Sequence, residues 1–70
     1  MAQSAFDLSA LSLADRLRIL RVSKHWRQRD LAEAADVTQS EVSALERGMY
    51  VPLSVKRRIF RELGLEAQDA

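Results

Sequence analysis

The side chains best suited to recognition chemistry are hydrogen-bonding groups between residues 38 and 47. On the helix predicted for this segment these groups share one side with Ala44. This side is called the polar face and consists of Thr38, Gln39, Ser40, Ser43, Ala44 and Arg47. The opposite side carries Val42 and Leu45 at the spacing of a buried stripe. Amide and hydroxyl groups both donate and accept hydrogen bonds, so the polar face is suited to a polar partner.

The composition offers little for catalysis or metal binding. The chain has no cysteine and a single histidine, His25. Disulfides, thiolate zinc sites, thiol nucleophiles and imidazole pairs are therefore excluded. No nucleophile, base and orienting group can be assembled from this set. We expect no enzymatic activity, no cofactor and no metal site.

The charges are unevenly distributed, although the net charge of the 70 residues is only +1. Residues 16–61 contain all eleven Lys and Arg but only five Asp and Glu, a net charge of +6. The other acids lie towards the two ends. A basic middle favours a polyanionic partner, although the same side chains could simply solvate helix faces.

Capping signals predict where two of the helices begin. Helix one runs from about Leu13 to Lys24, with Ser12 as its N-cap and Asp15 three residues later. Thr38 and Glu41 form a second capping-box pattern.

Apolar spacing and helix-stop residues define three further helices. The second spans Gln28 to Ala35, and the third runs from Gln39 to Arg47. The fourth is predicted from Val55 to Leu63, with Ser54 as its N-cap. A glycine follows each of the last two helices, as is common at helix C-termini.

These elements form one predicted domain with short flanking segments. Residues 1–11 are an N-terminal arm, residues 12–65 form the helical domain, and residues 66–70 are a short acidic tail. The fold class is all-α and compact, with four helices, or five if the arm forms another. The sequence contains no apolar stretch long enough for a membrane span and no basic front of a signal peptide, so we expect a cytoplasmic protein.

The second and third helices, joined by three residues, have the helix-turn-helix pattern. Ala32 is small where the two helices would cross, and Val37 can seal the turn. The apolar positions that this hairpin requires are all occupied: Leu31, Ala32, Ala35, Val37, Val42 and Leu45.

The stretch LRILRVSKHWRQRDLAEAADVTQSEVSALERGMYVP, from Leu17 to Pro52, resembles the lambda-repressor-like helix-turn-helix family, which includes phage repressor and Cro proteins and XRE-type regulators. The matching positions are Gln28, Leu31, Ala32, Val42, Ser43, Leu45, Glu46, Arg47 and Gly48. This resemblance implies that the polar face would lie in the major groove of double-stranded DNA.

By this resemblance Gln28 would bind a phosphate from the start of helix two, where free amide hydrogens also favour an anion. An ordinary polar helix start is the alternative. Gln39 is the first candidate for a base contact, because a glutamine amide can pair with N6 and N7 of adenine. Ala44 could meet a thymine methyl, and Arg47 could reach phosphate or guanine.

Other charged residues have candidate roles. Arg27, Arg57 and Arg58 are candidate phosphate contacts, although the two in helix four could equally keep that helix solvated. The resemblance also pairs Arg21 with Glu46, which would link helix one to the end of helix three. Such a pair would orient structure rather than read sequence.

The sequence departs from the family pattern at two turns. His25 and Asp36 stand where the family commonly has glycine. Asp tolerates the left-handed conformation better than most residues, so the second turn is expected to survive. Trp26 falls at a core position, and we expect it to pack rather than to stack on bases.

The resemblance implies a homodimer that binds a palindromic operator and regulates transcription, most simply as a repressor. The dimer contact could come from helix four, residues 49–53 or the arm. An antitoxin-type regulator, which would need a toxin-binding segment, is one alternative. A protein–protein adaptor with the same fold is another, and it would favour an acidic or apolar outer face on helix three.

Overall fold

Residues 11–65 are the part of the chain that the structure, a computed structural model, describes. They form four α-helices: α1 (Leu13–Ser23), α2 (Gln28–Ala35), α3 (Gln39–Glu46) and α4 (Leu53–Glu62). This part of the chain contains no strand, which confirms the predicted all-α class. The predicted arm, apart from Leu11, and the predicted acidic tail lie outside the described residues. No helix in the described range is long and apolar enough to cross a membrane.

Two helix starts have the predicted caps. The Ser12 hydroxyl accepts a hydrogen bond from the backbone N–H of Asp15 at 3.1 Å, at the start of α1. At the start of α3, the Thr38 hydroxyl accepts from the Glu41 N–H at 3.1 Å, and the Glu41 carboxylate accepts from the Thr38 N–H at 2.9 Å. This reciprocal pair satisfies two amide hydrogens that the helix cannot bond itself.

The predicted start of α4 is wrong. The helix begins at Leu53 rather than Val55, and Pro52, not Ser54, is its N-cap. Pro52 has φ −58°, and its carbonyl accepts from the Lys56 N–H at 3.0 Å. The proline ring already holds the φ angle of a helix and lacks an N–H that would need a partner, so the chain enters the helix directly after it.

The core lies between the four helices, and each contributes one fully buried large side chain: Leu17, Leu31, Val42 and Ile59. Burial of such a side chain stabilises the fold by roughly 1.5–3 kcal/mol. Ala32 and Ala35 are also buried on α2. Trp26 is partly buried and packs against this core, as predicted.

All four helices end in the same backbone motif, called here a left-handed corner. In each corner one residue has positive φ, and these residues are His25 (61°), Asp36 (59°), Gly48 (77°) and Gly64 (78°). The N–H of the following residue then bonds to a carbonyl five residues back, in the manner of a Schellman motif. These bonds are Trp26 to Arg21, Val37 to Ala32, Met49 to Ala44 and Leu65 to Phe60, at 2.8 to 3.3 Å.

Candidate nucleic-acid interface

The polar face of α3 points away from the core because its opposite face is buried. Val42, Leu45 and Glu46 form that inner face. On the outer side, four residues of the polar face are exposed and two are half-buried: Thr38, Gln39, Ser40 and Arg47, then Ser43 and Ala44. Ala44 packs against the core, so its methyl group is only partly available to a ligand.

The start of α2 and the outer side of α3 together form a shallow depression of about 310 Å³. It is lined by Gln28, Gln39, Ser40, Ser43 and Arg47. All the DNA-binding residues predicted from the sequence contribute to this lining except Thr38 and Ala44. Its side chains offer two amides, two hydroxyls and one guanidinium, with no carboxylate. Such a surface can donate hydrogen bonds to an anion and exchange them with base edges.

A buried ion pair lies directly behind the depression. Arg21 Nε donates to Glu46 Oε2 at 2.6 Å, and Arg21 Nη2 donates to Oε1 at 3.1 Å. The two side chains are only 11% and 5% exposed. The third guanidinium nitrogen, Nη1, donates to the carbonyl of Trp26 at 2.7 Å. The bidentate pair therefore joins α1 to α3 and also fixes the turn that leads into α2.

Gln28 belongs to this network as well as to the depression. Its Nε2 donates to Glu46 Oε1 at 3.2 Å. The residues Arg21, Glu46 and Gln28 are called here the buried network. The bond between Gln28 and Glu46 could not be predicted from the sequence, because the two residues lie 18 positions apart and no local pattern links them.

The candidate phosphate contacts differ in what they bind within the protein. Arg27 has a side chain that is 76% exposed, with only a loose ion pair to Asp30 at 3.7 Å. Arg57 is exposed and has no hydrogen-bond or ion-pair partner among the described residues. Arg58 Nη1 donates to the carbonyl of Asp36 at 3.1 Å and lies 3.7 Å from its carboxylate. Arg58 is thus bound to the turn between α2 and α3.

The Asp30 side chain caps the start of α2. The backbone N–H of Arg27 donates to its carboxylate at 2.8 Å. This bond, helped by the nearby Arg27 and Arg29 charges, lowers the pKa of Asp30 below its ordinary value despite an opposing effect of burial. The carboxylate is therefore ionised near neutral pH, next to the helix end that carries Gln28. No cluster of acidic or imidazole side chains suited to a metal ion occurs among the described residues.

Residues 12–70 match a protein family described as "Helix-turn-helix domain". The match includes all four helices and every residue of the depression. No curated protein and no solved structure matches the chain significantly. The family lies in the XRE and lambda-repressor-like clan, whose domains bind DNA and are typically not enzymes. The match covers most of the chain, and the chain therefore belongs to the helix-turn-helix family of DNA-binding domains.

Proposed function

We propose that the protein is a transcriptional regulator that binds a palindromic operator in duplex DNA as a homodimer, with α3 in the major groove. The depression carries this proposal, since it joins the start of α2 to the outer side of α3 with donors and acceptors and no carboxylate. Repression is the simplest mode of action, because occupying an operator is enough to exclude the transcription machinery.

The side chains of the depression take different roles in this proposal. Gln39 reads a base edge, and Ser40 and Ser43 donate or accept at neighbouring positions. Arg47 contacts guanine or a phosphate, and Gln28 contacts a phosphate at the groove edge. A protein–protein adaptor would instead need an acidic or apolar outer face on α3, and the described face is neither.

The loop after α3 is the proposed dimer surface. Its apolar side chains Met49, Tyr50 and Leu53 are exposed, and Tyr50 is 86% exposed. Beside them runs an open groove of about 590 Å³, whose lining includes Asp15 and Lys56. Within the described residues Lys56 has no ion-pair partner, whereas Asp15 binds Arg18 at 2.9 Å.

A second copy of the chain is the occupant that fits this groove. In a two-fold interface the same surface meets itself, so the exposed apolar side chains beside the groove of one copy would lie against those of the other. The apolar surface is small, and we expect a weak dimer that DNA binding stabilises.

In vitro selection of the purified chain against a random duplex library tests this function. Support would be a two-fold symmetric motif with half-sites about one helical turn apart. The Gln39→Ala variant should lose preference at one base pair of each half-site while keeping the rest of the motif. Failure to enrich any sequence would contradict sequence-specific binding.

The dimer is tested separately. Tyr50→Asp should shift the protein to monomer in sedimentation velocity and remove cooperative binding to the two half-sites. Met49→Lys is a second variant of the same surface. Unchanged cooperativity in both variants would place the dimer contact elsewhere.

A further inference from the structure

We propose that Glu46 is a positioning residue for DNA binding, which acts by fixing the side-chain amide of Gln28. This inference rests on the proposed function, in which Gln28 contacts a DNA phosphate. Glu46 lies on the buried side of α3, opposite the polar face. Its effect on DNA would pass through the buried network.

The geometry of the Glu46 carboxylate supports this role. It accepts from two nitrogens of Arg21 and from Gln28 Nε2, and Oε1 is shared between Arg21 and Gln28. Since a carboxylate has only acceptor oxygens, the nitrogen end of the Gln28 amide must face it. The bond is charge-assisted and partly buried, and both properties strengthen it.

This bond decides what Gln28 can offer to DNA. A primary amide has two N–H groups, and Glu46 uses one of them. The second N–H remains on the same nitrogen, at the edge of the depression that Gln28 lines. Without Glu46 the amide could rotate and turn its carbonyl oxygen towards the backbone phosphate, where two acceptors would repel each other.

Arg21 also helps to position Gln28. It neutralises the buried Glu46 charge and also binds the carbonyl of Trp26, two residues before Gln28. The start of α2 is therefore fixed at two points, the backbone carbonyl of Trp26 and the side chain of Gln28. If the ion pair served stability alone, a well-packed apolar pair could replace it without loss.

The main experiment separates a role of the ion pair in stability from a role in positioning Gln28. The double replacement Arg21→Met with Glu46→Leu should stay folded and lose less stability in urea than Glu46→Ala does, because an apolar pair replaces the buried charges and only the Arg21 bond to the Trp26 carbonyl is lost. Its affinity for the selected half-site should nevertheless fall about tenfold, the size expected for a lost hydrogen bond and a displaced contact.

Coupling to Gln28 is the decisive comparison. In a Gln28→Ala background, the same double replacement should weaken DNA binding less than about twofold, because the amide is already absent. In a Gln39→Ala background the loss should stay near tenfold, because Gln39 makes no bond to Glu46 in the described residues. A stable double variant that binds like the parent, or equal losses in all backgrounds, would overturn the proposal.

A measurement on the unmodified chain covers the case in which the double variant does not fold. In NMR spectra, one side-chain N–H of Gln28 should exchange slowly with solvent, and the other should shift when duplex DNA is added. The Gln39 amide serves as the internal reference with two freely exchanging protons. Equivalent behaviour of the two Gln28 protons would overturn the inference alone, whereas failure of the parent to bind any duplex would overturn the proposed function with it.

Discussion

The left-handed corners after α1 and α2 differ from those after α3 and α4 in the residue that adopts positive φ. The first two corners use His25 and Asp36, and the last two use Gly48 and Gly64. The backbone bonds are alike in all four. A side chain in this conformation costs about 1–2 kcal/mol compared with glycine, so the first two corners carry a strain that the last two avoid.

The strained corners have an additional support. Arg21 Nη1 donates to the carbonyl of Trp26 in the first corner, and Arg58 Nη1 donates to that of Asp36 in the second. No side chain of the described range donates to a carbonyl of the two glycine corners. The comparison indicates that a non-glycine residue is tolerated where an arginine fixes the corner from outside.

The largest expected effect follows from breaking the support of the first corner. Glu46→Ala removes one partner of a buried pair and leaves the Arg21 charge without compensation. We expect the free energy of unfolding to fall by about 3–5 kcal/mol. Urea unfolding followed by circular dichroism measures it, and a loss below about 1 kcal/mol would show that the pair supports neither the corner nor the core.

Changing a glycine corner into a strained one should have the next largest effect. Gly48→Ala should destabilise the fold by about 1–2 kcal/mol, because alanine must adopt positive φ there. A Cβ at this position meets no atom within 4 Å, so the backbone alone accounts for the loss. Gly64→Ala is the matched variant, and unchanged stability in both would remove the distinction between the two kinds of corner.

The reverse change should stabilise the protein. His25→Gly is expected to raise the free energy of unfolding by about 0.5–1 kcal/mol, since relief of strain exceeds the entropy that glycine adds to the unfolded chain. Asp36→Gly should give a similar gain, slightly reduced by loss of an exposed ion pair. Thermal unfolding of the two variants measures the change in stability. A lower melting temperature in both would contradict the inference that His25 and Asp36 are strained.

Support of the second corner should have a smaller effect. Arg58→Ala should cost about 0.5–1 kcal/mol of stability, because it removes one exposed hydrogen bond to Asp36. If Arg58 acts only within the protein, the salt dependence of DNA binding stays unchanged. Arg57→Ala is the control. If Arg57 contacts a phosphate, its removal should lower the slope of log affinity against log salt concentration by about one. A fall in slope for Arg58→Ala instead would identify Arg58 as the phosphate contact.

The smallest effect concerns the helix start that follows the first corner. The pKa of Asp30 is lowered in the folded state, so its contribution to stability is complete above the ordinary pKa of 3.8 and is lost as the pH falls through the lowered value. The parent should therefore lose more stability on acidification than Asp30→Asn does. Unfolding curves from about pH 5 to pH 2 test this, and parallel curves would contradict it.

Features set by neighbouring residues could be predicted from the sequence. The caps at Ser12 and Thr38 each depend on a partner three residues away, and both are present. The predicted start of α4 is wrong because Ser54 has the residue type of a cap, whereas the φ angle that Pro52 fixes lets the helix begin two residues earlier.

Contacts between distant residues could not be predicted in the same way. The bond of Gln28 to Glu46 and that of Arg58 to Asp36 arise only when the helices pack together. The set of residues in the depression was predicted through the family resemblance, but the buried network that holds Gln28 required the fold.

The division of α3 into a buried side and an outer side has a consequence for how such domains diversify. Val42, Leu45 and Glu46 hold the helix in place, while Gln39 and Ser40 are exposed and make no contribution to the core. Substitutions at the exposed positions leave folding nearly unchanged. Under the proposed function, operator preference would therefore change, in evolution or by engineering, through exchange of a few outer residues on a scaffold that stays the same.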